Sequence, residues 1–142
     1  MLASELLGSK WLDEHEDIDI TGIAYDSRNV TSGKHFVCIK GFETDGHKYA
    51  EMAVKNGASL IVAEDKIDVD VPVWYVENSR VEIAEMACKY YGNPSSKFKL
   101  IGITGTNGKT TITYLIKSII ETAGMRIGVI GTNQNIIGDK VL

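Results

Sequence analysis

The chain has 142 residues, of which 44% are hydrophobic and 24% are charged, and its formal net charge is -4. This balance is typical of folded globular proteins and excludes an intrinsically disordered chain. The negative charge argues against a protein that binds nucleic acid through a basic surface. No apolar run approaches the roughly 20 residues of a membrane span, and the first residues lack a signal-peptide pattern. We therefore expect a cytoplasmic protein that contacts neither nucleic acid nor membrane.

The first half of the chain alternates between strand and helix patterns. β-branched and aromatic residues cluster between turn formers in four segments, which predicts strands at 18–26, 35–40, 59–63 and 73–76. Apolar residues recur at helical spacing in two others, which predicts helices at 47–56 and 80–91. The apolar face of the second helix is predicted to consist of Val81, Ala84, Ala87, Cys88 and Tyr91. Cys38 and Cys88 lie inside apolar patterns, so we expect reduced thiols in the core.

A domain boundary is predicted at 92–96. This segment, Gly-Asn-Pro-Ser-Ser, combines a helix-ending glycine, a proline that cannot continue a helix, and small polar residues. The segments that follow are predicted to be a strand, a tight loop, a helix and a second strand, at 99–104, 105–108, 109–123 and 126–131. The expected fold is α/β, with a small mixed α/β domain at 1–96 and the first βαβ unit of an incomplete P-loop-type parallel-sheet domain at 97–142.

The helix predicted at 109–123 has one apolar face, which is expected to meet a core. Its members are Ile112, Leu115, Ile116, Ile119 and Ile120. Because two strands and one helix cannot complete a parallel sheet, this face lacks its usual partners. We expect it to pack on the N-terminal domain or on a neighbouring copy of the chain.

The strongest chemical signal is the run Thr-Gly-Thr-Asn-Gly-Lys-Thr-Thr at 104–111, between a predicted strand and a predicted helix. Backbone N–H groups at a helix N-terminus point at one place, and glycines let the backbone approach a phosphate closely. We assign catalytic roles to Lys109, which supplies charge to the β- and γ-phosphates, and to Thr110, whose hydroxyl is placed to coordinate Mg²⁺. The predicted ATP-binding residues are Gly105, Thr106, Asn107, Gly108, Lys109, Thr110 and Thr111.

One position departs from the general GxxxxGK[ST] pattern, because Ile103 stands where that pattern has glycine. A glycine-rich turn with a surface lysine is the structural alternative. A dinucleotide site is disfavoured, because the chain has no GxGxxG sequence. The predicted strand and helix on either side favour the phosphate loop.

The sequence TGTNGKTT at 104–111 resembles the ATP loop of the Mur ligase superfamily, which includes peptidoglycan precursor ligases and folylpolyglutamate synthetase. Upstream, the chain has Asp-Ser-Arg-Asn-Val at 26–30, then Gly33 and Phe-Val at 36–37, then Gly41 and Asp-Gly-His at 45–47. This series resembles the N-terminal domain shared by MurE and MurF ligases. The threonine before the asparagine of the loop favours the MurE type, because MurF loops more often read Gly-Ser-Asn-Gly-Lys.

The resemblance implies an ATP-dependent amide-bond ligase of peptidoglycan synthesis. Such an enzyme uses ATP and Mg²⁺ to add the third stem-peptide residue, meso-diaminopimelate or L-lysine, to UDP-N-acetylmuramoyl-L-alanyl-D-glutamate (UDP-MurNAc-L-Ala-D-Glu) through an acyl phosphate. The substrate-binding residues that it implies are Tyr25, Ser27, Arg28, Phe42, Glu43 and Thr44. For Arg28, an ion pair with Asp26 or Asp45 is the structural alternative. His47 is expected to cap a helix or pack rather than bind a ligand.

Several parts of such a ligase have no counterpart within residues 1–142. In the family, a later central domain supplies a metal-binding carboxylate, a histidine and a carbamylated lysine, and a third domain supplies the amino-acid pocket. We therefore expect the chain to be a piece of a ligase several times longer, without turnover of its own. Two alternatives stay open: a MurF-type ligase that adds D-Ala-D-Ala, and a stand-alone nucleotide-binding module, which has no reason to carry the upstream series.

Overall fold

The computed structural model describes residues 1–42 and 44–142 and divides into two compact units, Met1–Phe98 and Lys99–Leu142. The regular elements of the first unit are α1 (Ala3–Leu7), β1 (Gly22–Ala24), β2 (Lys34–Val37), α2 (Ala50–Lys55), β3 (Leu60–Ala63), β4 (Val73–Tyr75) and α3 (Ser79–Tyr90). Short 3₁₀ helices lie at Ser9–Asp13, Ser27–Asn29, Gly46–Tyr49 and Pro94–Lys97. The α/β fold class predicted from the sequence is confirmed.

The four strands form one parallel sheet in the order β1-β2-β3-β4. Their register pairs Phe36 with Ile61 and Val62 with Trp74. β3 is buried along its whole length, as expected for a parallel strand that is covered on both faces. Because all four strands run in the same direction, the loops that follow them meet at one edge of the sheet, which we call the carboxyl edge.

Two apolar clusters cover the two faces of this sheet. On one face Phe36 and Ile61 pack with Ala53 of α2. On the other face Val62 belongs to a cluster with α1, Trp11 and α3. Full burial of such side chains contributes about 1.5–3 kcal/mol each, so the unit has a stabilising interior on both sides of the sheet.

The buried face of α3 differs from the predicted one. Met86 is fully buried and Ile83 and Tyr90 are partly buried, whereas Cys88 is exposed. α3 carries two apolar stripes at helical spacing, and the stripe with the larger side chains faces the sheet because it removes more apolar area from water. The prediction of a core thiol is therefore wrong for Cys88. Cys38 is buried, and burial raises the pKa of its thiol to about 12.

The second unit contains α4 (Lys109–Thr122) and an antiparallel sheet of β5 (Gly128–Ile130), β6 (Asn135–Ile137) and β7 (Lys140–Val141). The predicted βαβ unit is not formed. Residues 99–104 pair with no strand in the part of the chain that the structure describes, and β5 pairs with β6 instead. A hairpin that closes through 131–134 has a small loop-closure cost, whereas a parallel pairing needs a long crossover.

α4 forms as predicted, but it does not face a core. None of its residues is buried, and Ile112, Leu115 and Ile119 are 46%, 59% and 69% exposed. Among the described residues of this unit, only Val129 and Ile136 are buried hydrophobic residues. Across residues 1–42 and 44–142, no helix has both the length and the apolar content required to span a bilayer.

Candidate substrate and nucleotide sites

The predicted substrate-binding residues follow β1 and β2 at the carboxyl edge. Tyr25, directly after β1, is 69% exposed, and Ser27, which opens a 3₁₀ helix, is 7% exposed and therefore buried. Phe42 and Thr44 are exposed in the loop after β2. Glu43 lies outside the described residues. The parallel sheet thus places both predicted segments at the same edge.

The helical segment 46–55 contacts both of these loops. The Ser27 hydroxyl lies 3.5 Å from the Met52 sulfur, and the Thr44 hydroxyl lies 3.2 Å from the Tyr49 hydroxyl. The backbone carbonyl of Ser27 also accepts a 2.8 Å hydrogen bond from Asn56. Because a thioether sulfur is a weak acceptor, the Ser27 hydroxyl retains capacity for a stronger partner.

Arg28 is paired with Asp26, which is the structural alternative that the sequence left open. Nε and Nη2 of Arg28 donate to the carboxylate at 2.9 and 2.7 Å. The Arg28 side chain, followed by its backbone N–H, lowers the pKa of Asp26 to about 2. The Arg28 side chain is 84% exposed, so this pair adds little to stability. A contact between Arg28 and a diphosphate stays a prediction.

Close packing explains the glycines of the Gly-x-x-x-Asp-Gly-His sequence. A Cβ on Gly41 would lie 2.7 Å from the Thr44 carbonyl oxygen, and a Cβ on Gly46 would lie 2.6 Å from the backbone nitrogen of Ile39. The N–H of Gly41 donates to Thr44, and the N–H of Gly46 donates to Ile39, each at 2.9 Å. We call the described residues 41–42 and 44–45 the Gly41 loop. Its ends are fixed by backbone contacts that tolerate no side chain at either glycine.

His47 fastens the Gly41 loop to the end of β3. Its Nδ1 lies 2.6 Å from the Asp45 carboxylate, while Nε2 accepts from the backbone N–H groups of Glu64 at 3.0 Å and Asp65 at 3.2 Å. In this arrangement Nδ1 is the donor to Asp45 and Nε2 is the acceptor. Asp45, His47 and Asp65 have the spacing of metal ligands. Both ring nitrogens are already hydrogen-bonded, however, so His47 has the structural role that the sequence favoured.

The predicted phosphate loop leads into the first turn of α4. Gly105 and Gly108 have φ angles of +145° and +76°, a region that favours glycine. Gly108 caps the helix without a side-chain hydrogen bond. The first N–H groups of α4 therefore have no side-chain acceptor at the cap, and the helix dipole at this end favours an anion.

Lys109 and Thr110 are exposed at the start of α4. The Lys109 ammonium group donates to the Gly105 carbonyl at 2.6 Å, so it reaches back across the loop. Both residues line a cavity of about 170 Å³, which Tyr114 and residues 129–134 also line. Gln134 donates to the Tyr114 hydroxyl at 2.8 Å. Sequence reasoning missed Tyr114, although its position one turn after Thr110 places both on one helix face.

Two families match the chain, one after the other. The family described as "Mur ligase family, catalytic domain" matches residues 19–103, and the family described as "Mur ligase middle domain" matches residues 103–141. The first match alone covers more than half of the chain. The two matches together reach into both compact units.

Similar proteins carry the name UDP-N-acetylmuramoyl-L-alanyl-D-glutamate--2,6-diaminopimelate ligase. That of Clostridium tetani is 48% identical over 134 residues, which are 91% of this chain and 28% of the relative. That of Halalkalibacterium halodurans is 46% identical over 140 residues, which are 99% of this chain and 29% of the relative. The chain thus spans a little over a quarter of the length of the curated relatives that it matches.

Solved structures of Mur ligases resemble the chain as well. A structure of a UDP-N-acetylmuramoyl-L-alanyl-D-glutamate--2,6-diaminopimelate ligase aligns with a TM-score of 0.70 and 31% identity, over 86% of this chain and 26% of that one. The MurF ligase of Thermotoga maritima in complex with ADP aligns with a TM-score of 0.56 and 32% identity, over 70% and 23%. Together with the two family matches, these likenesses show that the chain belongs to the Mur ligase family.

Proposed function

We propose that the chain is the part of a MurE-type ligase that binds the nucleotide-linked precursor and the phosphates of ATP. One observation supports the proposal: the chain contains both features of the family, in the order of the family. The first feature is the carboxyl edge with Ser27 and the Gly41 loop, and the second is the loop without a side-chain cap before α4. The identities of 46–48% to diaminopimelate ligases favour the MurE type over the MurF type. They also support 2,6-diaminopimelate as the added amino acid. We propose the cytoplasm as the compartment, because the reaction consumes ATP.

The proposed reaction has two steps. A carboxylate oxygen of the D-glutamate side chain attacks the γ-phosphorus of ATP, the bond to the bridging oxygen breaks, and ADP leaves. The amine nitrogen of the amino acid then attacks the acyl carbon, phosphate leaves, and the amine releases a proton as the amide forms. Positioning and charge neutralisation dominate the first step, and these are the contributions that we assign to this chain.

The start of α4 fits a triphosphate. Gly105 and Gly108 add no side chain to the loop, and Lys109 already turns its ammonium group toward the loop. The Thr113 hydroxyl donates to the carbonyl of Lys109, four residues earlier, whereas Thr110 makes no such bond within the described residues. We therefore assign Thr110 as a protein ligand of Mg²⁺, which supplies charge neutralisation at the transferring phosphoryl group.

The carboxyl edge fits the uridine-diphosphate part of the precursor. Exposed rings at Tyr25 and Phe42 offer apolar contact, and the hydroxyls of Ser27 and Thr44 offer hydrogen bonds to a uracil edge or a phosphate oxygen. Arg28 can donate to a diphosphate through the N–H groups that its pair with Asp26 leaves over. We retain Glu43 as a predicted contact because it lies between Phe42 and Thr44 in the sequence.

Calorimetric titration of the 142-residue chain with UDP-MurNAc-L-Ala-D-Glu tests this assignment. The native chain should bind, and Ser27→Ala should weaken binding about three- to tenfold, because one hydrogen bond contributes about 0.5–1.5 kcal/mol. Ser95→Ala is the matched control, since it removes an exposed hydroxyl between α3 and the second unit. Failure of the native chain to bind, or an equal loss in both variants, would contradict the proposal.

A further inference from the structure

A network of hydrogen bonds and ion pairs joins the ends of β2 and β3 to the start of α3. The Lys40 ammonium group lies 2.9 Å from the Asp65 carboxylate and 3.4 Å from that of Glu64. Glu64 accepts from both the backbone N–H and the hydroxyl of Ser79, each at 2.8 Å. These Ser79 bonds, followed by those from Lys40, hold the pKa of Glu64 below its usual value. Arg80 completes the network, because its Nη2 donates to the Lys40 carbonyl at 2.9 Å.

Arg80 contacts the chain on both sides of Gly41. Its hydrogen bond to Lys40 lies just before the Gly41 loop, and its Cζ lies 5.9 Å from the ring centroid of Phe42, just after the first residue of that loop. The Phe42 side chain is fully exposed with Arg80 in place, so this contact leaves the ring open to solvent. A guanidinium group suits this double contact because it is planar, donates in a fixed fork and stacks on aromatic rings.

The backbone that carries Arg80 is itself fixed. The Asn78 side chain accepts from the N–H groups of Arg80 and Val81 at 3.0 and 3.2 Å. Ser79 is fully buried and bound to Glu64. The first turn of α3 is therefore a rigid base, and the Arg80 side chain reaches from it to the exposed Gly41 loop.

We propose that Arg80 is a positioning residue, which holds the Gly41 loop in the orientation in which Phe42 and Thr44 meet the uridine-diphosphate part of the precursor. The inference rests on the proposed function, since it concerns the same site. It adds a residue 38 positions after Phe42 that the sequence motifs do not include. Arg80 acts through the loop and does not itself bind the substrate.

Two measurements on the 142-residue chain test the role of Arg80. Amide hydrogen exchange at Gly41, whose N–H donates to Thr44, reports on the loop without any ligand. Titration with UDP-MurNAc-L-Ala-D-Glu reports on the site. Arg80→Ala should speed exchange at Gly41 and weaken binding, each about tenfold, because the variant loses one charge-assisted hydrogen bond and the ring contact. Arg80→Lys should give a smaller change in both, since it retains the charge but not the planar fork.

Two further variants separate positioning from folding and from charge. Phe42→Leu removes the ring contact from the opposite side and should speed exchange at Gly41 while amides of α3 keep their native rates. Lys66→Ala removes one exposed positive charge near the end of β3 and should leave both readouts unchanged. An equal effect of Lys66→Ala would assign the loss to net charge and overturn the inference.

The remaining outcomes separate this inference from the proposed function. Native exchange at Gly41 in Arg80→Ala would overturn the positioning role. Faster exchange with unchanged affinity would overturn its connection to the substrate while the proposed function stands. If the native chain itself fails to bind the precursor, the proposed function fails, and the inference fails with it whatever the exchange rates show.

Discussion

The two compact units have similar sequence patterns but different interiors. In the first, Leu6 of the five-residue helix α1 is fully buried beneath a sheet that is covered on both faces. In the second, α4 has 14 residues and a clear apolar stripe, yet Leu115 is 59% exposed. An apolar stripe therefore specifies a helix and the face that it would bury, whereas burial itself depends on a partner surface.

The N-termini of α3 and α4 also differ, in how their first backbone N–H groups are hydrogen-bonded. The Asn78 side chain satisfies two N–H groups of α3, whereas Gly108 has no side chain with which to cap α4, and its carbonyl accepts from Ile112. In α3 these donors are satisfied within the chain by the Asn78 cap. A helix that binds an anion leaves them for the ligand. The start of α4 is thus compatible with the proposed phosphate site, although the second unit has little interior.

The two units should differ most in the free energy of unfolding that is lost when a leucine is replaced by alanine. Leu6→Ala should lower the free energy of unfolding by about 2–5 kcal/mol, because it leaves a cavity in a packed core. Leu115→Ala should change it by less than about 0.5 kcal/mol, because the side chain is exposed. Urea denaturation followed by tryptophan fluorescence reports on the first unit, where Trp11 and Trp74 lie, and far-UV circular dichroism also follows α4 in the second unit. Equal losses would show that α4 is packed in solution.

Acid should destabilise the first unit through His35, which is fully buried on β2. Within the described residues, neither of its ring nitrogens has a hydrogen-bond partner. Burial lowers the pKa of His35 from 6.5 to about 4. Below pH 6.5 the unfolded chain therefore binds a proton that the folded chain excludes. Stability is complete above pH 6.5 and falls by up to about 3 kcal/mol as the pH approaches 4.

His35→Leu isolates this contribution, because it replaces the titrating ring with an apolar side chain of similar size. Urea midpoints at about pH 7 and about pH 4.5 should differ less in the variant than in the native chain. Several carboxyl groups with lowered pKa values also lose stabilising interactions in acid, below their unfolded values near 4. They are Asp17, Asp26, Asp45 and Glu64. An unchanged pH dependence in His35→Leu would assign the acid sensitivity to them alone.

Removal of the Lys109 side chain should weaken ligand binding without changing the stability of the fold. Lys109→Ala should weaken binding of Mg²⁺-ATP about ten- to hundredfold, because hydrogen bonds to charged groups contribute about 1.5–3 kcal/mol. Lys117→Ala is the matched control on the same helix, where the lysine pairs with Glu121 at 2.6 Å. Titration calorimetry distinguishes the two variants. Similar losses in both would indicate a diffuse charge effect instead of a phosphate loop.

A smaller loss of stability than that of Leu6→Ala is expected at the cap of α3. Asn78→Ala should lower the free energy of unfolding by about 1 kcal/mol, because two N–H groups lose their acceptor. Asn78→Asp should be nearly neutral, since a carboxylate accepts the same bonds and is favoured by the helix dipole. Urea denaturation of both variants checks this. A cost in Asn78→Asp as large as in Asn78→Ala would contradict a capping role.

Local patterns predicted most elements of the first unit. The β-branched run at 59–63 became β3, and the helix predicted at 80–91 became α3 within one residue at each end. Its buried face was mispredicted because two stripes of α3 are apolar, and the choice between them depends on contacts with the sheet. The hairpin of β6 and β7 was missed, although Gly138-Asp139 between short apolar runs is a hairpin signal.

The residues of the candidate site could be predicted from the sequence, but the contacts between its segments could not. Motif resemblance gave Ser27, Arg28 and the Gly41 loop. It did not give Arg80, because a contact between α3 and a loop after β2 joins segments that are far apart in sequence. The strand predicted at 99–104 failed for a related reason, since a parallel strand is defined by neighbours that the local sequence cannot supply.

If the two units carry two different sites, amide chemical-shift mapping of the 142-residue chain with two ligands will distinguish them. UDP-MurNAc-L-Ala-D-Glu should shift the amides of Tyr25, Ser27 and Thr44, whereas Mg²⁺-ATP should shift those of residues 105–111. Lys109→Ala should remove the second response and leave the first. Shifts from both ligands in the same unit, or no response to either, would contradict the account.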